Sequence, residues 1–318
     1  MYGQKQQHVI KEMKRITTLF FTIAYCHVFG LGFLPGQPGG EMPEGGFKTS
    51  TCPWGRSLHY VTDEYHTKPS STDDVTIRGG QIVEIDQNIY WGSLGLNVPK
   101  LVFAKGKKLK FRQGINVEMH NSKLQLENCT VEMNENLSFN YWHKSRWGGM
   151  ATVELINTKF YTLGGLICIA PVHPDVKFDD PCGVNFILKG NTHANFGTGA
   201  VIDDIFSELP NMWKFRIRFV VTKDGVPSLK FNYLTKAKKV DFYIDIEDTN
   251  IKPGTYALMT LEDRNSSFDG STYFVNGNSY GLGSSFNVGK HKGKVILGPS
   301  PTGKDSTGKN DLLLVIER

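Results

Sequence analysis

The tetrapeptide Thr-Val-Glu-Met at 130–133 returns as Thr-Val-Glu-Leu at 152–155, and Asn-Val-Glu-Met precedes both at 116–119. A recurrence of about twenty residues carried by short β-prone pieces is the mark of a coiled β-solenoid, because each piece is too small to bury an apolar row except by stacking on the next. The first two copies are offset by 22 residues (153 − 131 for their valines), so the repeat predicts one backbone turn per 22 residues with Val131 beneath Val153.

Composition agrees with an all-β chain. Among 318 residues there are 34 Gly, 20 Phe and 12 Tyr. Aromatics suit a pleated, half-buried surface, and Gly supplies turns with positive φ. At the N-terminus Lys11, Lys14 and Arg15 precede an apolar run from Ile16 to Tyr25, and Val28 and Gly30 suit a signal-peptidase cut after Gly30. The run is shorter than a membrane-spanning helix needs, so residues 1–30 read as a signal peptide that leaves no stable membrane span after processing. Its removal lowers the net charge from +5 to (36 − 4) − (31 − 1), that is +2. Export and this modest charge argue against nucleic acid as a partner. Cys52, Cys129, Cys168 and Cys182 remain without a close pair, which argues against a thiolate metal site. A Cys168–Cys182 disulfide and buried free thiols both fit this pattern.

Residues 31–50 form a Gly/Pro-rich leader. From Asp73 the chain breaks into short strands between turn residues: 74–86 with a central Gly-Gly bend, then 100–104, 107–112, 115–119, 123–127, 130–133, 152–156, 166–170, 184–188, 214–221 and 240–246. Val75, Ile77, Ile82 and Ile85 are candidates for the interior. Asn128, Asn157 and Asn191 each follow an apolar strand, so they are expected to stack at one corner in left-handed backbone. After Thr249 the strands 255–261, 272–275, 285–288, 294–297 and 312–316 are too closely spaced for full turns and predict an antiparallel closing sheet. The organisation is therefore signal peptide 1–30, leader 31–50, parallel β-helix 51–250 and antiparallel cap 251–318.

The run Asp73-Asp-Val-Thr-Ile-Arg-Gly-Gly-Gln-Ile-Val-Glu-Ile-Asp86, with Pro253-Gly-Thr-Tyr-Ala-Leu-Met-Thr and the terminal Asn310-Asp-Leu-Leu-Leu-Val-Ile-Glu, resembles the openings and ends of right-handed parallel β-helix passengers of autotransporter-type secreted proteins, within the broader pectate-lyase-like superfamily. The resemblance implies the right-handed fold, secretion and surface exposure. It does not imply catalysis.

Three sets of side chains could carry function. The densest is Asn140-Tyr141-Trp142-His143-Lys144-Ser145-Arg146-Trp147. Trp142 and Trp147 offer faces for sugar rings, whereas His143, Lys144 and Arg146 suit carboxylate or sulfate. As a lyase, the same loop would neutralise a uronate with a cation while Lys144, His143 or Tyr141 removed its α-proton, with Ca²⁺ as an optional aid. The second set is the row Lys108, Lys110 and Arg112, placed outside by alternation while Leu109 and Phe111 face in. Lys214, Arg216 and Arg218 alternate likewise, but an offset of 27 residues lays Asp241 beside Lys214 and Asp245 beside Arg218 as a compensated ladder. The third set, Glu132 above Glu154, would suit Ca²⁺ or glycoside hydrolysis if the 22-residue offset is a true turn, though compensation by Lys is the simpler account. The His residues are scattered and receive no role, and no metal or cofactor is otherwise expected.

The sequence thus predicts a secreted right-handed parallel β-helix that binds anionic polysaccharide or a cell-surface glycan without catalysis. A polysaccharide lyase acting by β-elimination is the alternative.

Overall fold

A computed structural model of the chain describes residues 47–51, 60–61, 71, 73–78, 80, 82–119, 121–140, 149–169, 182–202, 213–235, 240–262, 271–299 and 311–318. Its strands in chain order begin with β1 (Phe47–Lys48), β2 (Tyr60–Val61) and β3 (Asp74–Arg78). Then come β4 (Ile82–Ile85), β5 (Ile89–Trp91), β6 (Ser93–Asn97), β7 (Leu101–Lys105), β8 (Lys108–Phe111) and β9 (Ile115–Glu118). The middle holds β10 (Lys123–Glu127), β11 (Thr130–Met133), β12 (Leu137–Asn140), β13 (Met150–Ile156), β14 (Lys159–Thr162) and β15 (Leu166–Ile169). Longer strands follow as β16 (Cys182–Lys189), β17 (His193–Ile202), β18 (Trp213–Val221), β19 (Ser228–Thr235), β20 (Asp241–Ile246) and β21 (Gly254–Leu261). The last are β22 (Thr272–Val275), β23 (Asn278–Ser279), β24 (Ser285–Val288), β25 (His291–Gly298) and β26 (Asp311–Ile316).

Parallel pairing joins every third strand in the first part of the chain, and every second strand along β16-β18-β20-β22 and β15-β17-β19-β21. Face A runs β1-β4-β7-β10-β13-β16-β18-β20-β22, face B runs β5-β8-β11-β14-β17, and face C runs β3-β6-β9-β12-β15-β17-β19-β21. β17 and β19 each span both B and C: Ser228–Phe231 follow His193–Phe196 on face B, Tyr233–Thr235 follow Gly199–Val201 on face C, and a register shift between Phe196 and Gly199 divides the two parts. Among the described residues there is no helix and no closed barrel, and the order is compatible with a parallel β-solenoid.

The expected superposition of Val131 on Val153 is overturned. Val131 pairs with Leu109 and Phe160 on face B, whereas Val153 pairs with Leu124 and Phe186 on face A. A 22-residue turn does exist, between Leu109 and Val131 and between Val102 and Leu124 (131 − 109, 124 − 102). The similar tetrapeptides occupy different faces of adjacent turns because both faces need the same alternation. Down face A the inward column is Val83, Val102, Leu124, Val153, Phe186, Ile217, Phe242 and Tyr273, with offsets, as differences of these numbers, of 19, 22, 29, 33, 31, 25 and 31. The added length falls in the connections from face C to face A.

Side chains alternate in and out, so the interior is an apolar column. Val75, Ile77 and Ile85 are buried as expected, but Val83 takes the place foreseen for Ile82, which faces outward. Phe196 stands between Phe160 and Phe231 at ring-centroid distances of 5.6 and 5.2 Å. Cys129 and Cys168 are both buried and outside any disulfide, and burial pushes the Cys129 thiol up. Cys168 therefore packs as a small hydrophobe and is not disulfide-bonded.

The corner between faces A and B repeats one device. Gly106, Asn128, Asn157 and Gly190 all adopt positive φ, at 67°, 53°, 48° and 65°. Each N–H bonds the next turn, from Gly106 to Glu127 O (2.8 Å), Asn128 to Ile156 O (2.8 Å), Asn157 to Lys189 O (3.0 Å) and Gly190 to Val220 O (3.0 Å). Asn128 and Asn157 are thus corner residues as expected, while the third corner belongs to Gly190 and not to Asn191. Just inside it the buried Thr158 hydroxyl accepts from Cys129 N–H (3.3 Å), and the buried Thr192 hydroxyl accepts from Thr158 N–H (3.2 Å). These bonds satisfy backbone donors that the corner would otherwise leave buried and unpaired.

At the other end the expected closing sheet is smaller than the strand spacing suggested. β22 pairs in parallel with β20 and β21 with β19, so both continue the stack, and the antiparallel sheet is β21-β26-β25-β24.

At the start, Asp86 ties β1 to the stack. It accepts from the Thr49 hydroxyl (3.0 Å), the Ser50 N–H (2.9 Å) and the Ser50 hydroxyl. Burial raises the Asp86 carboxyl, but the donors from Ser50 and Thr49 outweigh it and hold the group below the usual carboxylate range. A folded pKa below the unfolded one means that this contribution is complete above the ordinary Asp value and is lost as pH falls through the lowered one. On acidification through that range, amide exchange at Thr49 and Ser50 is expected to accelerate before exchange at Val102 or Leu124. Equal acceleration at all four would refute this role for Asp86.

Candidate functional site

Face B carries two outward rows. The first, set by register, is Lys108, Thr130, Lys159, His193 and Ser228. The second is Tyr90, Lys110, Glu132, Tyr161, Asn195 and Lys230. Neighbouring strands lie about 4.8 Å apart, so Lys108 and Lys159, two strands apart, are separated by about 10 Å.

The expected outward placement of Lys108, Lys110 and Arg112 is what the structure shows, with Leu109 and Phe111 buried beneath them. Lys110 lies 5.6 Å from the Tyr90 ring centroid and 3.7 Å from Glu132. Both Lys110 and Glu132 are more than half exposed, so water and salt leave this pair little energy. Lys108, Arg112 and Lys159 are exposed and have no carboxylate within ion-pair distance among the described residues. Tyr90 and Tyr161, 48% and 42% exposed, add two aromatic surfaces to the same face. Lys159, Tyr90 and Tyr161 escaped the sequence reading, since only the register brings β5, β8 and β14 side by side.

On face A four cations have carboxylate partners. Lys105 pairs with Glu127 (3.0 Å), Lys123 with Glu154 (3.3 Å), Lys189 with Glu247 (2.9 Å) and Arg218 with Asp245 (3.1 Å). The Arg218–Asp245 pair is the one expected. The register is 25 residues and not 27 (241 − 216), so Asp241 lies opposite Arg216 and Lys214 lies beyond the paired stretch. Arg218 also covers the Tyr243 ring at 4.8 Å, and Tyr243 stacks on Phe274.

The stacked carboxylates expected at Glu132 and Glu154 do not occur. Glu132 projects from face B and Glu154 from face A, each beside a lysine. That pair can neither hold Ca²⁺ nor act as an acid and base on one glycosidic bond. Among the described residues no three His, Cys, Asp or Glu side chains are grouped to hold a metal ion.

Tyr141, Trp142, His143, Lys144, Arg146 and Trp147 lie outside the described residues, in the connection between β12 of face C and β13 of face A. A cleft of about 410 Å³ opens at the corner between faces A and B, lined by Asn157, Lys189, Thr222, Asp224, Glu247 and their neighbours. Its polar groups are mutually engaged: Lys189 pairs with Glu247, and Asn157 Nδ2 donates to Asp224 (3.1 Å). The cleft is therefore a polar recess whose lining holds three carboxylates, Asp224, Glu247 and Asp248, against the two lysines Lys189 and Lys223.

His193, given no role from sequence, has two side-chain partners. Its Nδ1 lies 2.7 Å from Ser228 Oγ, and its Nε2 lies 3.0 Å from Asn191 Oδ1. Ser228 and His193 are 35 residues apart in sequence and become neighbours only through the pairing of β17 with β19.

No protein-family model matches the chain, and neither a curated protein nor a solved structure is significantly similar to it.

Proposed function

We propose that the chain is a secreted or cell-surface right-handed parallel β-helix with a small antiparallel C-terminal cap, and that it binds anionic polysaccharide along face B. Right-handed winding is supported by the strong preference of parallel crossover connections for that hand. Secretion rests on the basic and apolar pattern of residues 1–30. The observation that supports the binding reading is that Lys108, Arg112 and Lys159 stand exposed on one side of the stack without a carboxylate within ion-pair distance among the described residues, whereas Lys105, Lys123, Lys189 and Arg218 of face A each have one. A repeating anion can engage cations spaced along the stack, while Tyr90 and Tyr161 offer their rings to sugar faces. Trp142 and Trp147 are proposed as further stacking faces for sugar rings.

Adsorption to immobilised alginate or a sulfated glycan at low salt tests this. Replacing Lys108, Lys110 and Arg112 together with alanine is expected to weaken it by about tenfold or more, given roughly 1 kcal/mol per close ion contact in water. Equal retention of the variant and the parent protein would remove face B as the binding surface. Unsaturated uronate product, abolished by Lys144→Ala, would instead establish the lyase centred on Tyr141, His143, Lys144 and Arg146.

A further inference from the structure

We propose that Ser228, His193 and Asn191 form a hydrolytic site for short-chain carboxylic esters. This inference does not rest on the polysaccharide reading, with which it shares only Lys159.

Asn191 Oδ1 only accepts hydrogen bonds, so its contact at 3.0 Å fixes the hydrogen of neutral His193 on Nε2. Nδ1 is then left bare as an acceptor, and Ser228 Oγ donates to it at 2.7 Å. A nucleophile, a base in the required tautomer and a group that orients the base are thus connected by two hydrogen bonds of catalytic length. The backbone of all three residues is pinned. Ser228 N–H bonds Thr192 O (2.9 Å), His193 N–H bonds Thr158 O (2.9 Å), and Asn191 N–H bonds Asn157 Oδ1 (2.8 Å). His193 and Ser228 sit on the paired strands β17 and β19, and Asn191 on the bend that leads into β17, so the backbone bonds fix the positions from which the three side chains project. His193 and Asn191 are exposed and Ser228 is half-buried, so an ester on a large or extended molecule can reach the hydroxyl.

In the reaction Ser228 Oγ attacks the ester carbonyl carbon while its proton passes to His193 Nδ1. Asn191 Oδ1 steadies the resulting imidazolium through Nε2–H. As the tetrahedral intermediate collapses, the bond from the carbonyl carbon to the leaving alcohol oxygen breaks, and that oxygen takes the proton from Nδ1. Water then attacks the acyl-serine with the same proton transfers, releasing the carboxylic acid and restoring the serine. Lys159 is the Cα partner of His193 on the strand opposite Ser228, and its ammonium is the cation assigned to the developing oxyanion.

The full chain is tested with p-nitrophenyl acetate and, separately, with a fluorophosphonate probe followed by peptide mass spectrometry. Label on Ser228 is expected, together with a loss of about 100-fold or more in kcat/KM for Ser228→Ala and for His193→Gln. Lys159→Met is expected to lower kcat more than it changes KM, as loss of a charge that acts on the transition state requires. Turnover in the parent protein no faster than in folded Ser228→Ala, or label on any other residue, would overturn the proposal. The labelling arm uses the unaltered protein and decides the matter even where a variant fails to fold.

Discussion

Phe196→Ala is expected to cost about 3–5 kcal/mol, as truncating a fully buried Phe generally does. Phe196 is 0% exposed, and its ring touches three others, with centroids at 5.6 Å from Phe160, 5.2 Å from Phe231 and 6.1 Å from Phe186. Phe160, Phe196 and Phe231 come from β14, β17 and β19, consecutive on one face, while Phe186 reaches in from face A. The cavity therefore opens where two faces and three turns meet. Ordinary stabilities are about 5–15 kcal/mol, so the loss removes a large share of the total. In a stack whose turns touch only their neighbours, weakening one interface also lowers the coupling across it. Chemical denaturation is expected to show a lower midpoint and a broader transition, with amides of β16 to β19 losing protection first. A midpoint within about 0.5 kcal/mol of the parent would show that the column tolerates the void, contrary to close packing. Phe196→Leu, which retains most of the volume, is expected to cost distinctly less.

Gly114→Ala is expected to destabilise by about 1–3 kcal/mol or more, because the strain falls on backbone. A Cβ at Gly114 would lie 2.2 Å from Asn136 O and 3.1 Å from Asn136 N in the next turn. Those atoms cannot rotate away, since Ile115 N–H bonds that same carbonyl at 3.1 Å. Relief requires the two turns to part, which weakens the pairing of β9 with β12. Gly80→Ala is the control: nothing lies within 4 Å of its Cβ, so the change is expected to stay within about 0.5 kcal/mol. Thermal melts of the two variants compare the corner directly, and equal melting temperatures would refute the assigned role of Gly114.

Strand positions were legible in the sequence where alternation is strong. The segments at 123–127 and 130–133 are strands at those bounds, and Lys108, Lys110 and Arg112 point outward because Leu109 and Phe111 must point inward. Strands rich in small or polar residues went unread, such as His193–Ile202 with its two glycines at 197 and 199. Their β-structure comes from neighbours on both sides and not from their own propensity. The side-chain partners of His193 were invisible for the same reason: neither Ser228 nor Asn191 stands out until β17 and β19 are aligned.

Alternation and corner residues within the sequence sufficed to specify an all-β chain wound in short strands, with Asn128 and Asn157 at a corner and a basic row on β8. Local chemistry determines these, because a strand's period and a residue's tolerance of left-handed backbone do not depend on distant partners. Which strand lies on which was decided only by the tertiary structure. Turns between 19 and 33 residues long, as between Val83 and Val102 and between Val153 and Phe186, satisfy the same inward column once their connections absorb the difference. A constant sequence period therefore cannot reveal the register, and repetition alone placed Val131 under Val153 when apolar packing had put them on separate faces.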